Sequence, residues 1–223
     1  MEKFFLEAAE EYEIPHNTEK IIELEPGIMY ERIGEVQGIS EDIVENEELI
    51  VGDYKEAMEH WHMQLESDSC VITQEISVAE QLLGKDLSEE EMLEFSKQMG
   101  WYDGNRISEG DCGKLLEYME LDVEKAENLG LNDLVQELSE GGKVICGVNG
   151  GILYEPELSE IPGIRANHVV QVIGIDMTDP DNVKVIINDS GTENGRGVVV
   201  DADTFMKAWK TSDCFAVTAR KGV

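Results

Sequence analysis

The sequence predicts an α+β fold, and three observations carry that prediction. Apolar residues recur at helical spacing through the middle of the chain, at Val71, Ile72, Ile76, Ala79, Leu82 and Leu83 and again at Met92, Leu93 and Phe95. Beyond residue 142 the pattern changes to short runs rich in Val and Ile. Helices thus come first and strands later, not in the alternation that βαβ units require. The chain has 223 residues, of which 41% are hydrophobic, enough to build a core and to exclude a wholly disordered acidic chain.

The elements follow in order. Residues 1–60 hold 18 acidic and 4 basic residues, a denser negative charge than the rest of the chain. Phe4, Phe5, Ala8, Ala9 and Tyr12 mark one apolar helical face, Pro15 ends it, and a mixed stretch runs from Ile21 to Tyr30. Residues 41–48, EDIVENEE, form a charge cluster that reads as a solvated boundary or as a docking segment. Two regions are expected: an acidic, partly helical segment at 1–52 and a folded domain at 53–223. Within the domain a helix opens at Cys70 and stops at Gly84. Ser88-Glu89-Glu90-Glu91 is a capping box for a second helix ending at Gly100. A short helix spans 111–119, and Asn132 is expected to cap a helix that Gly141-Gly142 terminates. Strands are predicted at 143–148, 168–176, 183–189 and 214–219, with a helix at 204–210 between the last two.

Composition narrows the function. Seventeen Lys and Arg against 49 Asp and Glu give a net charge of −32, which repels phosphates and argues against nucleic acid and anionic membranes as partners. No apolar run reaches the roughly 20 residues that cross a bilayer. The first fifteen residues lack the apolar stretch of a secretory signal, so the expected compartment is the cytoplasm. The four cysteines form no CxxC pair and are expected to be free thiols. His60, His62 and Glu59 lack a fourth ligand at diagnostic spacing. Asp176, Asp179 and Asp181 fit a turn better than a calcium loop. Gly191–Gly197 lacks the Lys-Ser/Thr of a phosphate cradle. Neither a metal nor a cofactor is expected.

Four positions remain as candidates for chemistry. Cys70 opens a predicted helix, where unpaired N–H groups and the helix dipole stabilise a thiolate, though an isolated cysteine is more often a buried core residue. Gln64, six residues earlier, is either a surface residue or a donor to a developing oxyanion. His168 begins an apolar strand, where a polar ring needs a partner; it is either a satisfied edge histidine or a general base. The next strand ends in Asn188-Asp189-Ser190-Gly191, where an Asn or Asp caps the turn or orients the imidazole.

Their order resembles that of the papain-like cysteine peptidases: Gln-x5-Cys at a helix start, a His opening a strand about 100 residues on, and Asn/Asp ending the next. Within that group the stretches Trp61-His62-Met63-Gln64, Gly100-Trp101-Tyr102, Asn167-His168-Val169, Ile186–Gly191 and Phe205–Trp209 look like the bacterial double-glycine leader peptidases, over roughly residues 53–219. The resemblance implies Cys70 as nucleophile, His168 as base, Asp189 as orienting acid and Gln64 as oxyanion donor. It implies a papain-like fold in which a helical layer bearing the Cys packs on a twisted antiparallel sheet bearing the His and Asp. Leader peptidases commonly carry Asp-Pro where this chain has Asp189-Ser190, and papain uses Asn, so Asn188 stays open as the third member. The transporter that often accompanies such peptidases is not in this sequence. The implied activity is thiol-mediated hydrolysis of peptide or isopeptide amide bonds through a thioester. A retired peptidase fold that binds peptides, and a deamidase or transglutaminase-like acyltransferase, are the alternatives. The charge either points to peptide substrates bearing positive charge or serves only to keep the protein soluble.

Overall fold

The computed structural model describes residues 21–24, 28–31, 49–103 and 107–222. The chain divides into two units, residues 1–43 and 44–223. In the first, β1 (Ile21–Leu24) and β2 (Ile28–Glu31) pair antiparallel, with Ile22 opposite Tyr30. The helix expected at 4–12 and the charge cluster at 41–48 lie outside the described residues.

The second unit is built on a seven-stranded sheet. Its strands are β3 (Ile50–Val51), β4 (Leu121–Ala126), β5 (Lys143–Val148), β6 (His168–Asp176), β7 (Lys184–Asn188), β8 (Val198–Asp201) and β9 (Ala216–Lys221). They lie in the order β4-β9-β5-β6-β7-β8, every pair antiparallel, and β3 extends the sheet beside the far end of β6. The sheet therefore takes in residues 50 and 51. The helices are α1 (Tyr54–Glu59), α2 (Cys70–Leu83), α3 (Glu89–Gln98), α4 (Lys114–Tyr118), α5 (Leu131–Ser139), α6 (Gly150–Tyr154) and α7 (Ala202–Trp209). This is the α+β arrangement that the sequence predicts, and it is papain-like. Among the described residues no helix is long and apolar enough to cross a membrane.

The central helix α2 is not a surface amphipathic helix: it is buried on nearly every face. Its Val71, Val78, Ala79 and Leu82 pack with Ile145 of β5, Val169 of β6 and Val217 and Ala219 of β9. Ile72 and Ile76 pack with Leu93 of α3, Leu115 of α4 and Tyr102. Burying that much aliphatic surface at about 25 cal/mol per Å² dominates the stability of this layer. A second anchor is Trp209 of α7, fully buried, packed on Phe205 and donating its indole N–H to the Phe215 carbonyl at 2.8 Å.

The departures from the predicted elements have local causes. Helix α5 starts at Leu131, one residue before the Asn132 expected to cap it; Gly130 is the cap, and its N–H is held by the Asp133 carboxylate at 2.6 Å. Burial of Leu131 together with Leu134 and Leu138 decides the start, since all three share one helix face. The helix expected at 111–119 shortens to α4 because Gly113, at φ +86°, breaks it from a preceding 3₁₀ turn. Strand β4 escapes the sequence pattern because it is a sheet edge, where exposed Asp122, Glu124 and Lys125 dilute the apolar alternation; β8, at the other edge, is only four residues long.

One buried carboxylate lies beneath this layer. Glu75 of α2 is 1% exposed and accepts the N–H groups of Gly113, Leu115 and Leu116, at 2.7, 2.9 and 3.4 Å, at the start of α4. Burial pushes its carboxyl from 4.5 up to about 7, against the opposing pull of those N–H groups and of Lys125. The folded chain therefore holds a proton there that the unfolded chain releases, and the associated stability is lost as pH rises from 4.5 through 7. Glu75→Gln, uncharged throughout, is expected to flatten the melting temperature over that window, removing a pH-dependent contribution of up to about 3 kcal/mol. Calorimetric scans of the two proteins at stepped pH check this; parallel curves would show that Glu75 does not titrate there.

Candidate active site

The site lies where the start of α2 meets the end of the sheet. Ser69 precedes α2 but makes no side-chain cap; its hydroxyl lies 2.9 Å from the Glu66 carbonyl and 3.0 Å from Glu89 Oε1 instead. The first turn of α2 thus keeps its N–H groups uncapped, and the first side chain there is Cys70, half-buried. Cys70, His168, Val71, Cys112, Val169 and Phe215 line a cleft of about 610 Å³, with Asp68 and Glu109 as its acidic wall residues.

His168 is the first residue of β6, and Asp189 follows the last residue of β7. Because the two strands are antiparallel with Gln171 opposite Asn188, the start of one and the end of the other share one edge of the sheet. Continuing that register places 189 opposite 170 and 191 opposite 168. Side chains alternate along a strand, so Asp189 projects on the face of His168 and Asn188 on the other. The distances agree. His168 Nε2 lies 2.7 Å from Asp189 Oδ1. The Asn188 side chain, fully buried, donates to the Ala57 carbonyl at 2.8 Å and accepts the Gly197 N–H at 3.1 Å.

Asp189 is 3% exposed and held on every polar atom. Its Oδ1 accepts from the His168 ring and from the Gly191 N–H at 2.8 Å, and its Oδ2 accepts from the Tyr154 hydroxyl at 2.6 Å. Its own N–H donates to the Gly195 carbonyl at 2.7 Å, and its carbonyl accepts the Trp61 indole N–H at 2.8 Å. Burial works against its ionisation, yet the hydrogen bonds and charge of His168, with those of Tyr154 and Gly191, hold its carboxyl below the usual range. Burial likewise works against the charged form of His168. The hydrogen bonds and charges of Asp189 and Cys70 outweigh it and push the ring from 6.5 up to about 9. The ring is gripped between two glycines: a Cβ at Gly150 would meet it at 3.5 Å, and one at Gly191 would meet its Cε1 at 3.2 Å. A Cβ at 191 would also meet Asp189 Oδ1 at 3.2 Å, so a larger residue there would force the pair to shift by a few tenths of an ångström.

The structure thus brings Cys70, His168 and Asp189 together and treats Gln64 differently. The Gln64 amide N–H groups donate to the carbonyls of Glu66 at 2.9 Å and Ser67 at 2.8 Å. Its Oε1 accepts from the Ser190 hydroxyl at 3.1 Å, and its backbone N–H donates to the Ser190 carbonyl at 2.9 Å. Flipping the amide would face oxygen against two carbonyls, so this orientation is the favoured one. Gln64 here braces the loop before α2 against the segment that carries Asp189.

The other cysteines are poor nucleophiles. Burial, with the nearby Glu75 charge, pushes Cys112 up to about 12, and burial raises Cys146 and Cys214 as well. His62 Nε2 and His60 Nδ1 lie 2.7 and 3.5 Å from Glu80 Oε2, fastening the loop after α1 to α2. Among the described residues no group of three His, Cys, Asp or Glu side chains could hold a metal ion. Sequence reasoning assigned no part to Tyr154 or to Gly150. An aromatic on a five-residue helix far from the other members carries no local signal of its partner.

No family model matches the chain. Uncharacterized proteins of Mycobacterium tuberculosis and Mycobacterium bovis are 27% identical over 197 residues, covering 75% of this chain and 83% of theirs. Among solved structures, a protein of Bacillus anthracis assigned as a C39-like peptidase superposes with a TM-score of 0.55 at 16% identity, covering 79% of this chain and 98% of that one. The peptidase domain of Streptococcus ComA, a bi-functional ABC transporter, gives a TM-score of 0.49 at 17% identity, covering 72% of this chain and 98% of that one. The Bacillus anthracis structure shares its fold with this chain.

Proposed function

We propose that this chain, which has the fold of the C39-like peptidases, is a cysteine peptidase-like hydrolase of peptide or isopeptide bonds. The observation that carries the reading is the 2.7 Å His168–Asp189 pair, backed against a cleft into which Cys70 opens. An imidazolium beside the sulfur favours the thiolate, the nucleophilic form. Cys70 Sγ attacks the scissile carbonyl, His168 holds the thiol proton and returns it to the leaving amine, and a thioester remains. Water, deprotonated by His168, then attacks the thioester, releasing the acid and restoring the thiol. The Cys70 N–H, on the uncapped first turn of α2, is one donor to the oxyanion. Gln64 is the second once one of its N–H groups leaves its loop carbonyl.

The substrate segment carries positive charge. The net charge of −32 and the carboxylates of Asp68 and Glu109 in the cleft wall support this. The reducing cytoplasm suits a mechanism built on a free thiol.

Limited iodoacetamide treatment followed by peptide mapping tests the reading. Cys70 is expected to be labelled first, and preferential labelling of Cys112, Cys146 or Cys214 would sink it. Incubation with a peptide mixture, read by mass spectrometry and by ammonia release, then separates hydrolysis from deamidation. Lys- and Arg-rich peptides are expected to be cleaved faster than Glu-rich ones at low salt, and the difference should shrink as the screening length falls below about 8 Å. Equal rates at low salt would remove charge from recognition.

A further inference from the structure

Helix α6 touches both members of the His168–Asp189 pair. Its first residue, Gly150, lies against the His168 ring and donates its N–H to Asn167 Oδ1 at 3.0 Å, tying the helix start to the residue before His168. Its last residue, Tyr154, donates to Asp189 Oδ2 at 2.6 Å. Asn149 fixes the helix in turn, accepting the Ile152 N–H at 3.3 Å and donating to the Arg165 carbonyl at 2.6 Å. Tyr154 is 51% exposed, so packing alone does not account for its placement. What holds it is the carboxylate. Rotation of this carboxylate about its Cβ–Cγ bond breaks the two bonds on Oδ1, and the Tyr154 hydroxyl on Oδ2 adds a third charge-assisted hydrogen bond that must break with them.

We propose that Tyr154 is a positioning residue of this site: its hydroxyl fixes the outer oxygen of Asp189, and so both orients and tempers the carboxylate that holds His168. The inference rests on the Cys70–His168–Asp189 reading above. Tempering has a definite sign. A hydroxyl donating to Oδ2 draws charge from the carboxylate, so removing it strengthens the hold of Asp189 on the imidazolium. The groups that face His168 are Asp189 after β7, Cys70 on α2 and, through Asp189, Tyr154 on α6; Asp68 and Glu109 stand in the same cleft.

The test follows the rate of Cys70 alkylation by iodoacetamide, assigned by peptide mapping, across pH 4–10 in the full chain. A thiolate–imidazolium pair gives two steps: an acid step where the pair forms, and an alkaline step where the imidazolium loses its proton. In Tyr154→Phe, which removes only an oxygen, the alkaline step is expected to move up by about half a pH unit. In an Asp189→Asn background the same change is expected to move nothing further, as two residues acting through one contact are non-additive. A Tyr154→Phe profile that superimposes on the parent's or moves downward overturns the proposal, and so does a shift that persists undiminished without the carboxylate. A parent protein with no acid step at Cys70 would instead overturn the underlying reading, so the two failures are distinguishable.

Discussion

His168→Ala is expected to lower turnover of a cleaved peptide by about 10²–10⁴-fold, the range that a positioned general acid–base supplies. It should also abolish the acid step of Cys70 alkylation. Both effects have one cause. In the proposed mechanism the ring held by Asp189 takes the thiol proton and gives it to the leaving amine, and no other imidazole lines the cleft among the described residues. The fold should tolerate the change, because His168 heads its strand and the β5–β6 pairing continues through Val169 to Val172. Circular dichroism and melting temperature check that point. His168 is itself raised to about 9 from 6.5, so its pairing stabilises the fold fully below pH 6.5 and loses that effect as pH rises through 9. The stability lost in the alanine variant should be largest below pH 6.5 and shrink as pH rises through 9. A variant that retains parental turnover would remove His168 from the mechanism.

Asp189→Asn is expected to weaken turnover by about tenfold or more, less than the loss at His168, because the orienting residue does not take the proton. The amide keeps an oxygen for Tyr154 or for the ring but not the charge that favours the imidazolium, so the alkaline step of Cys70 alkylation should move downward. Asn188→Ala supplies the contrast. Its side chain, fully buried, bridges the Ala57 carbonyl and the Gly197 N–H on the other face of the sheet. Losing those bonds should cost about 1–3 kcal/mol of stability and leave kcat of the folded protein near the parent's. Paired measurement of kcat and melting temperature separates the two outcomes. If Asn188→Ala is the change that lowers kcat while Asp189→Asn is silent, the third role belongs to Asn188.

Part of this molecule is written in local pattern. The apolar spacing from Val71 to Leu83, the Ser88 cap and the Val- and Ile-rich runs are read within a window of a dozen residues, and α2, α3, β5, β6 and β7 form there. The order of Cys70, His168 and Asp189 along the chain is equally legible, as is Cys70's place at the head of a helix. The sequence alone does not choose between Asn188 and Asp189. That choice is one of parity: the β6–β7 register sends one side chain to each face, and register is a property of two strands, not of either. The same limit hides Tyr154, 35 residues from the carboxylate it meets, and Glu75, about 40 residues from the helix it caps. It also hides the use that Gln64 makes of its amide, since the Ser190 hydroxyl that orients it arrives from 126 residues away. Local periodicity reports which face of an element is apolar, but a hydrogen bond needs an angle and a distance between two groups. For groups this far apart along the chain, only the packed tertiary structure sets them.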